Sequence, residues 1–104
     1  MNAYIRFKLA LTEDEPVVKP YDEAAWAKLP DIPGTPIETS LTLLEALHDR
    51  WVRLLNLLDD AAFARKFRHP EIGDVTLERN LALYAWHGKH HVAHITSLRA
   101  RMGW

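Results

Sequence analysis

Two long amphipathic stretches dominate the pattern of apolar and polar positions. Between Ile37 and Leu58, residues Leu41, Leu44, Trp51, Leu55 and Leu58 recur at i, i+3 and i+4 spacings, which predicts a helix with one face turned to a core. Thr39 or Ser40 offers a cap for its start. Between Leu77 and Met102 a second stripe runs through Leu77, Leu81, Tyr84, Gly88, His91, Ile95, Leu98 and Met102. Thr76 supplies an N-cap for that helix. Arg99 and Arg101 fall in its last turn, where cations suit the helix dipole, and Gly103 is a natural stop.

A shorter apolar pattern, Tyr4, Ile5, Phe7, Leu9 and Leu11, predicts a helix over Met1–Thr12. No capping residue precedes it. The pattern fits a short terminal helix and the tail of a longer one equally well. Glu13 to Pro36 is predicted irregular, because it carries Pro16, Pro20, Pro30, Pro33, Pro36 and Gly34. Only a short helix over Glu23–Lys28, capped by Asp22 and carrying Trp26, fits between the prolines. Asp59-Asp60 caps another short helix over Ala61–Lys66, with Phe63 and the following Phe67 directed inward. Phe67 to Val75 is predicted extended, with Pro70 and the Gly73-Asp74 pair marking a turn or small hairpin before the last helix. His69 precedes Pro70 and is biased to extended geometry, a loop histidine. The elements add up to an all-α domain: three main helices, short helices and a small extended turn.

Composition narrows the picture. A chain of 104 residues supports one domain, 1–104, with one modest core. Its net charge of −1 offers no basic footprint for nucleic acid and no polybasic membrane signal. No apolar run approaches the ~20 residues of a membrane span. A cytoplasmic location is the expectation. Cysteine is absent, so a bound metal would be held by His, Asp, Glu or water.

The candidate chemistry lies in the last helix. Four of the six histidines, His87, His90, His91 and His94, fall between Trp86 and Ile95. His87 and His91 are i,i+4, and so are His90 and His94. Two imidazoles one turn apart on one helix face can grip the same divalent metal. At about 100° per residue, His91 lies about 30° from the centre of the apolar stripe and His87 about 70°, whereas His94 lies about 90° and His90 more than about 100° away. The pair His87/His91 is therefore expected to face the bundle interior or its edge, with His94 at the edge and His90 outward. Gly88 lies on the core side, and a mid-helix glycine costs about 1 kcal/mol against alanine, which suggests close approach by a neighbouring helix or a ligand. Tyr84, one turn before His87, is expected to pack or to support the site. His48 lies within about 50° of the centre of the first long stripe and is the candidate for a catalytic base or a further ligand. His-x-x-x-His is by itself a weak signal, and no glutamate follows His87 as in the zincin motif.

Leu83-Tyr84-Ala85-Trp86-His87-Gly88-Lys89-His90-His91-Val92-Ala93-His94-Ile95, with Thr96 to Trp104 after it, resembles the C-terminal end of the YfiT-like branch of the DinB superfamily. Met1 to Glu13 resembles that family's second-helix segment and Leu44 to Trp51 its third helix. The resemblance covers essentially the whole chain and is most specific from Leu83 to Trp104. It implies a four-helix bundle that binds one divalent metal, Zn or Ni, through three histidines. Two of these carry over to His87 and His91. The third belongs to a segment preceding the one that Met1 matches, so the resemblance implies a bundle truncated at its N-terminus, lacking the first helix and one ligand. His48, water or a residue of a partner chain would then complete the coordination. A bundle lacking one wall exposes an apolar strip, which favours a homodimer or an exchange of helices between chains.

Two functions compete at this point. The resemblance implies a metal-dependent hydrolase, or a thiol transferase using a low-molecular-weight thiol on a small-molecule substrate. The metal would activate water or the thiol at His87 and His91, with His48 as base. The alternative is a non-catalytic helical dimerisation remnant whose metal site is vestigial or incomplete. Nucleic-acid and membrane binding have no support in the charge pattern.

Overall fold

The computed structural model describes all 104 residues, Met1–Trp104. Its helices are α1 (Asn2–Thr12), α2 (Glu23–Trp26), α3 (Asp31–Gly34), α4 (Ile37–Leu55), α5 (Asp60–Phe63) and α6 (Leu77–Met102). Strands β1 (Lys66–His69) and β2 (Gly73–Thr76) form an antiparallel hairpin between α5 and α6. The predicted all-α architecture, with three main helices and a small extended turn, is therefore the observed one. No helix is long and apolar enough to cross a membrane.

Local chemistry explains most boundaries. The Thr76 side chain accepts from the Arg79 N–H at 3.2 Å and starts α6. Gly103, at φ 70°, ends it in the left-handed conformation that glycine adopts without steric cost. The Asp22 and Asp59 carboxylates accept from the Ala25 and Ala62 N–H groups, each at 2.8 Å, and start the two predicted short helices. Those helices are briefer than the sequence suggests. The first stops at Trp26, and the second stops at Phe63 because Lys66 already pairs with Thr76 in the hairpin. Helix α3 was not expected. Pro33 fits inside it because, in a helix this short, its missing N–H falls in the first turn.

Helix α4 differs at both ends. It starts at Ile37 directly after Pro36, so Thr39 and Ser40 lie inside it and cap nothing. It ends at Leu55 rather than Leu58. The Leu57 and Leu58 N–H groups donate to the Leu54 and Leu55 carbonyls, tightening the chain into a three-residue turn.

The core sits where α1, the hairpin and the first turns of α6 meet. Phe7, Phe67 and Leu77 are completely enclosed, and Ala3, Ala10, Val18, Trp51 and Val75 complete the cluster. Helix α4 contributes only Trp51 to the buried set. Its indole meets Tyr4, Phe7 and Tyr84 at centroid distances of 6.1, 5.1 and 5.6 Å. The linker is sewn to the hairpin: the Val18 N–H donates to the Arg68 carbonyl and the Arg68 N–H to the Pro16 carbonyl, both at 2.9 Å. Arg65 closes the end of α1, donating from Nε to the Ala10 carbonyl at 2.6 Å and from Nη2 to the Glu13 carbonyl at 2.7 Å. These carbonyls have no partner within their own helix.

Beyond this core two helical arms run without a neighbour. On α4, Leu41 and Leu44 are more than half exposed, and on α6 so are Ile95 and Met102. The apolar stripes exist as predicted, but each is covered over only part of its length.

Candidate metal centre

Helix α6 leaves the core gradually. Leu77 and Asn80 are buried, Leu81, Tyr84, His87 and His90 are half-buried, and His91 and all later residues are exposed. His87 is thus the last residue of the predicted pair to touch the body of the fold. The Tyr84 ring meets its imidazole edge-on at 5.7 Å. Tyr84 is itself held against Trp51, and burial pushes its hydroxyl pKa up, with the nearby Arg6 charge opposing.

One turn further on, His91 stands at right angles to His87, with ring centroids 4.4 Å apart at 83°. Their Nε2 atoms are 3.0 Å apart. A hydrogen bond across that gap needs a proton on one of the two nitrogens. With both bare, the two nitrogens are close enough that a small ring rotation would set each about 2.0–2.1 Å from a shared zinc-like ion. The donor set therefore fits a borderline divalent metal. It is a partial set, since no group of three His, Asp or Glu residues converges to hold an ion.

The pair opens onto a cleft of about 460 Å³ whose walls come from distant parts of the chain. Asn2 and Arg6 come from α1, Tyr21 and Glu23 from the linker and α2, His69 and Glu71 from the hairpin, and Tyr84, His87 and His91 from α6. His69 Nδ1 accepts the Glu71 N–H at 3.2 Å. The neutral ring therefore carries its proton on Nε2, which is left free. Arg6 makes no ion pair, so its guanidinium is free to meet a negative charge.

The other histidines lie elsewhere. His48 is exposed on α4 in a separate open groove with Leu41, Leu44, Glu45, Asp49 and Val52, and it shares no pocket with His87 and His91. Its Nδ1 is 2.8 Å from the Leu44 carbonyl of its own helix. His90 is half-buried rather than outward-facing, because Trp86 stacks on it at 4.4 Å, and His94 is exposed. Gly88 has no close neighbour: a Cβ built there meets nothing within 4 Å. No neighbouring helix of this chain makes the expected close approach at Gly88. Glu71, Arg6 and Glu23 were not singled out as site residues from the sequence, which makes His69 a loop histidine first and a site residue only second. The one local signal for His69 and Glu71 was the His69-Pro70-Glu71 run ahead of the last helix.

Comparison with known proteins matches residues 1–95 to the DinB superfamily. The chain is 58% identical over 104 residues to a "putative metal-dependent hydrolase" of Oceanobacillus iheyensis, aligning over 100% of this chain and 60% of that protein. A protein of the same description from Bacillus mycoides is 55% identical over the same shares. Among solved structures, YfiT from Bacillus subtilis, "a probable metal-dependent hydrolase with an unusual four-helix bundle topology", superposes with a TM-score of 0.92 at 53% identity, covering 100% of this chain and 60% of YfiT. The chain thus spans 60% of the length of the relatives it matches.

Proposed function

The chain belongs to the DinB superfamily, and on that premise we propose that it is a metal-dependent hydrolase, or a transferase acting with a low-molecular-weight thiol, in which His87 and His91 hold one Zn²⁺ or Ni²⁺ ion. The observation that carries this reading is the convergence of their Nε2 atoms, 3.0 Å apart, at the wall of the cleft. When bound, such an ion lowers the pKa of water or a thiol and polarises a substrate carbonyl or phosphoryl group. A cytoplasmic location is part of the same reading.

The chain's own groups supply the rest. Tyr84 fixes the His87 ring by edge contact and so orients its nitrogen. His69, with Nδ1 occupied by the Glu71 N–H, can donate a hydrogen bond from Nε2–H to a substrate oxygen on which negative charge develops. Arg6 stands in the same cleft to offset negative charge that develops on the substrate. His48 would act only through its free Nε2 and from its own groove, so the proposal rests on His87 and His91.

Metal analysis of untagged protein tests the reading. About one first-row divalent ion per chain is expected, falling to near zero in the His87→Ala/His91→Ala double variant. Protein that stays metal-free after reconstitution would overturn it. A His69→Ala variant that keeps its metal loses that hydrogen-bond donor and should lose about 10²-fold in turnover of a responsive ester, amide or thiol substrate.

A second reading, a non-catalytic dimerisation module, is favoured by the uncovered stripes on α4 and α6, where Leu41, Leu44, Ile95 and Met102 are more than half exposed. Two copies burying those stripes against each other would give a homodimer, with or without exchanged helices. The molecular mass in solution decides whether the chain self-associates, and metal content on the same sample decides between the readings.

A further inference from the structure

Helix α6 carries a second convergent pair outside the cleft. His90 Nε2 and His94 Nε2 lie 2.9 Å apart, with the rings at 80° and their centroids 4.3 Å apart. This is close to the arrangement of His87 and His91, yet neither His90 nor His94 lines the cleft. The midpoint of the outer pair is three residues further along the helix, a rotation of about 60° and an advance of about 4.5 Å. Across the pairs the rings stay apart, with His90–His91 centroids at 5.9 Å and His91–His94 at 6.4 Å.

The outer pair is also held in place. Trp86 stacks on His90 at 4.4 Å with the planes 22° apart. Trp86 and His90 are themselves i,i+4, so the indole is braced by the same helix and fixes the imidazole plane. Stacking of this kind lowers the rotamer entropy lost when the nitrogen is tied to a ligand.

We propose that His90 and His94 form a second divalent-metal site, separate from the His87/His91 centre. The chemistry of two imidazoles favours Cu²⁺ over Ni²⁺ and Zn²⁺. No Asp or Glu follows Glu78 in α6, so the remaining coordination positions fall to water or small anions. Two dications on adjacent faces of one helix repel each other, so the two sites fill one after the other. The inference does not depend on hydrolase activity.

Titration of the untagged full chain with CuCl₂, followed by native mass spectrometry and electron paramagnetic resonance, tests it. The wild-type chain should take up two Cu²⁺ ions, each with nitrogen couplings. The His90→Ala/His94→Ala variant should retain one ion, and so should His87→Ala/His91→Ala. The His90→Gln/His94→Gln variant, which keeps side-chain bulk, should behave like the outer alanine pair. Trp86→Ala should keep both ions but weaken one of them about tenfold, the usual cost of losing a group that orients a ligand. A wild-type chain that saturates at one ion, or an outer double variant that still takes up two, would overturn the proposal. Loss of the outer ion with the inner one retained would support it whether or not any hydrolase activity is found.

Discussion

Trp51 presents its ring edge-on to Phe7, with centroids 5.1 Å apart and planes at 72°. This contact joins α4 to α1, and Trp51 is the only residue of α4 that is buried. Replacing Trp51 by Ala removes the joint together with the Tyr4 and Tyr84 contacts. The expected loss is about 3–5 kcal/mol, the usual range for a buried aromatic cut back to alanine. Chemical denaturation would read it, and a loss below about 1 kcal/mol would contradict the placement of α4.

Thr76 caps α6 with a single side-chain bond to the Arg79 N–H. Thr76→Ala should cost about 1 kcal/mol, and Thr76→Asp should retain most of the stability. Thermal melting of the three proteins distinguishes a cap from a residue whose main role is to pair with Lys66 in the hairpin.

Gly88→Ala is expected to stabilise the protein. A mid-helix glycine costs about 1 kcal/mol relative to alanine, and a Cβ at Gly88 meets nothing within 4 Å. If the variant instead unfolds more readily or loses metal, a partner chain or substrate approaches that face.

Hairpin stability should depend on pH at both ends of the range. Lys66 Nζ meets Asp74 at 2.8 Å and Glu15 at 3.1 Å, and Arg68 Nε meets Asp74 at 3.2 Å. Hydrogen bonds from Lys66 and then Arg68 hold the Asp74 pKa below its ordinary value, and bonds to Asp74 and then Glu15 raise that of Lys66. A lowered carboxylate pKa contributes stability above its unfolded value, about 3.9, and that contribution is lost as the pH falls through the native value. A raised lysine pKa contributes below its unfolded value, about 10.4, and that contribution is lost as the pH rises through the native value. The pair therefore supports the hairpin fully between those limits. Asp74→Asn should flatten the acid limb of hairpin amide exchange measured against pH, and an unchanged profile would show that the ion pairs contribute nothing.

Cap residues and one-turn spacings were legible in the sequence because they act within a few residues. Thr76 and Gly103 bound α6 wherever the helix is placed. The i,i+4 spacing alone brings His87 to His91 and His90 to His94, since the two members of each pair ride on one rigid helix. The stripes on α4 and α6 were legible as well, and so was the hairpin ahead of α6.

The tertiary structure decided what those local features face. Asn2, Arg6, Glu23, His69 and Glu71 reach the His87/His91 pair only because the linker is bonded to β1 and Arg65 ties α1 to the hairpin. No periodicity links residues so far apart in the chain. His48 has the right chemistry and sits on a periodic face, yet it points into another groove because α4 meets the core only near its C-terminal end, through Trp51 and Leu55. The wheel placed His91 inward and His90 outward, but burial depends on what covers a face: α6 rises out of the core after His87, leaving His91 exposed and His90 sheltered by Trp86. Short-range hydrogen bonds and helical spacing are written residue by residue in the chain, whereas the walls of a cleft follow from long-range packing.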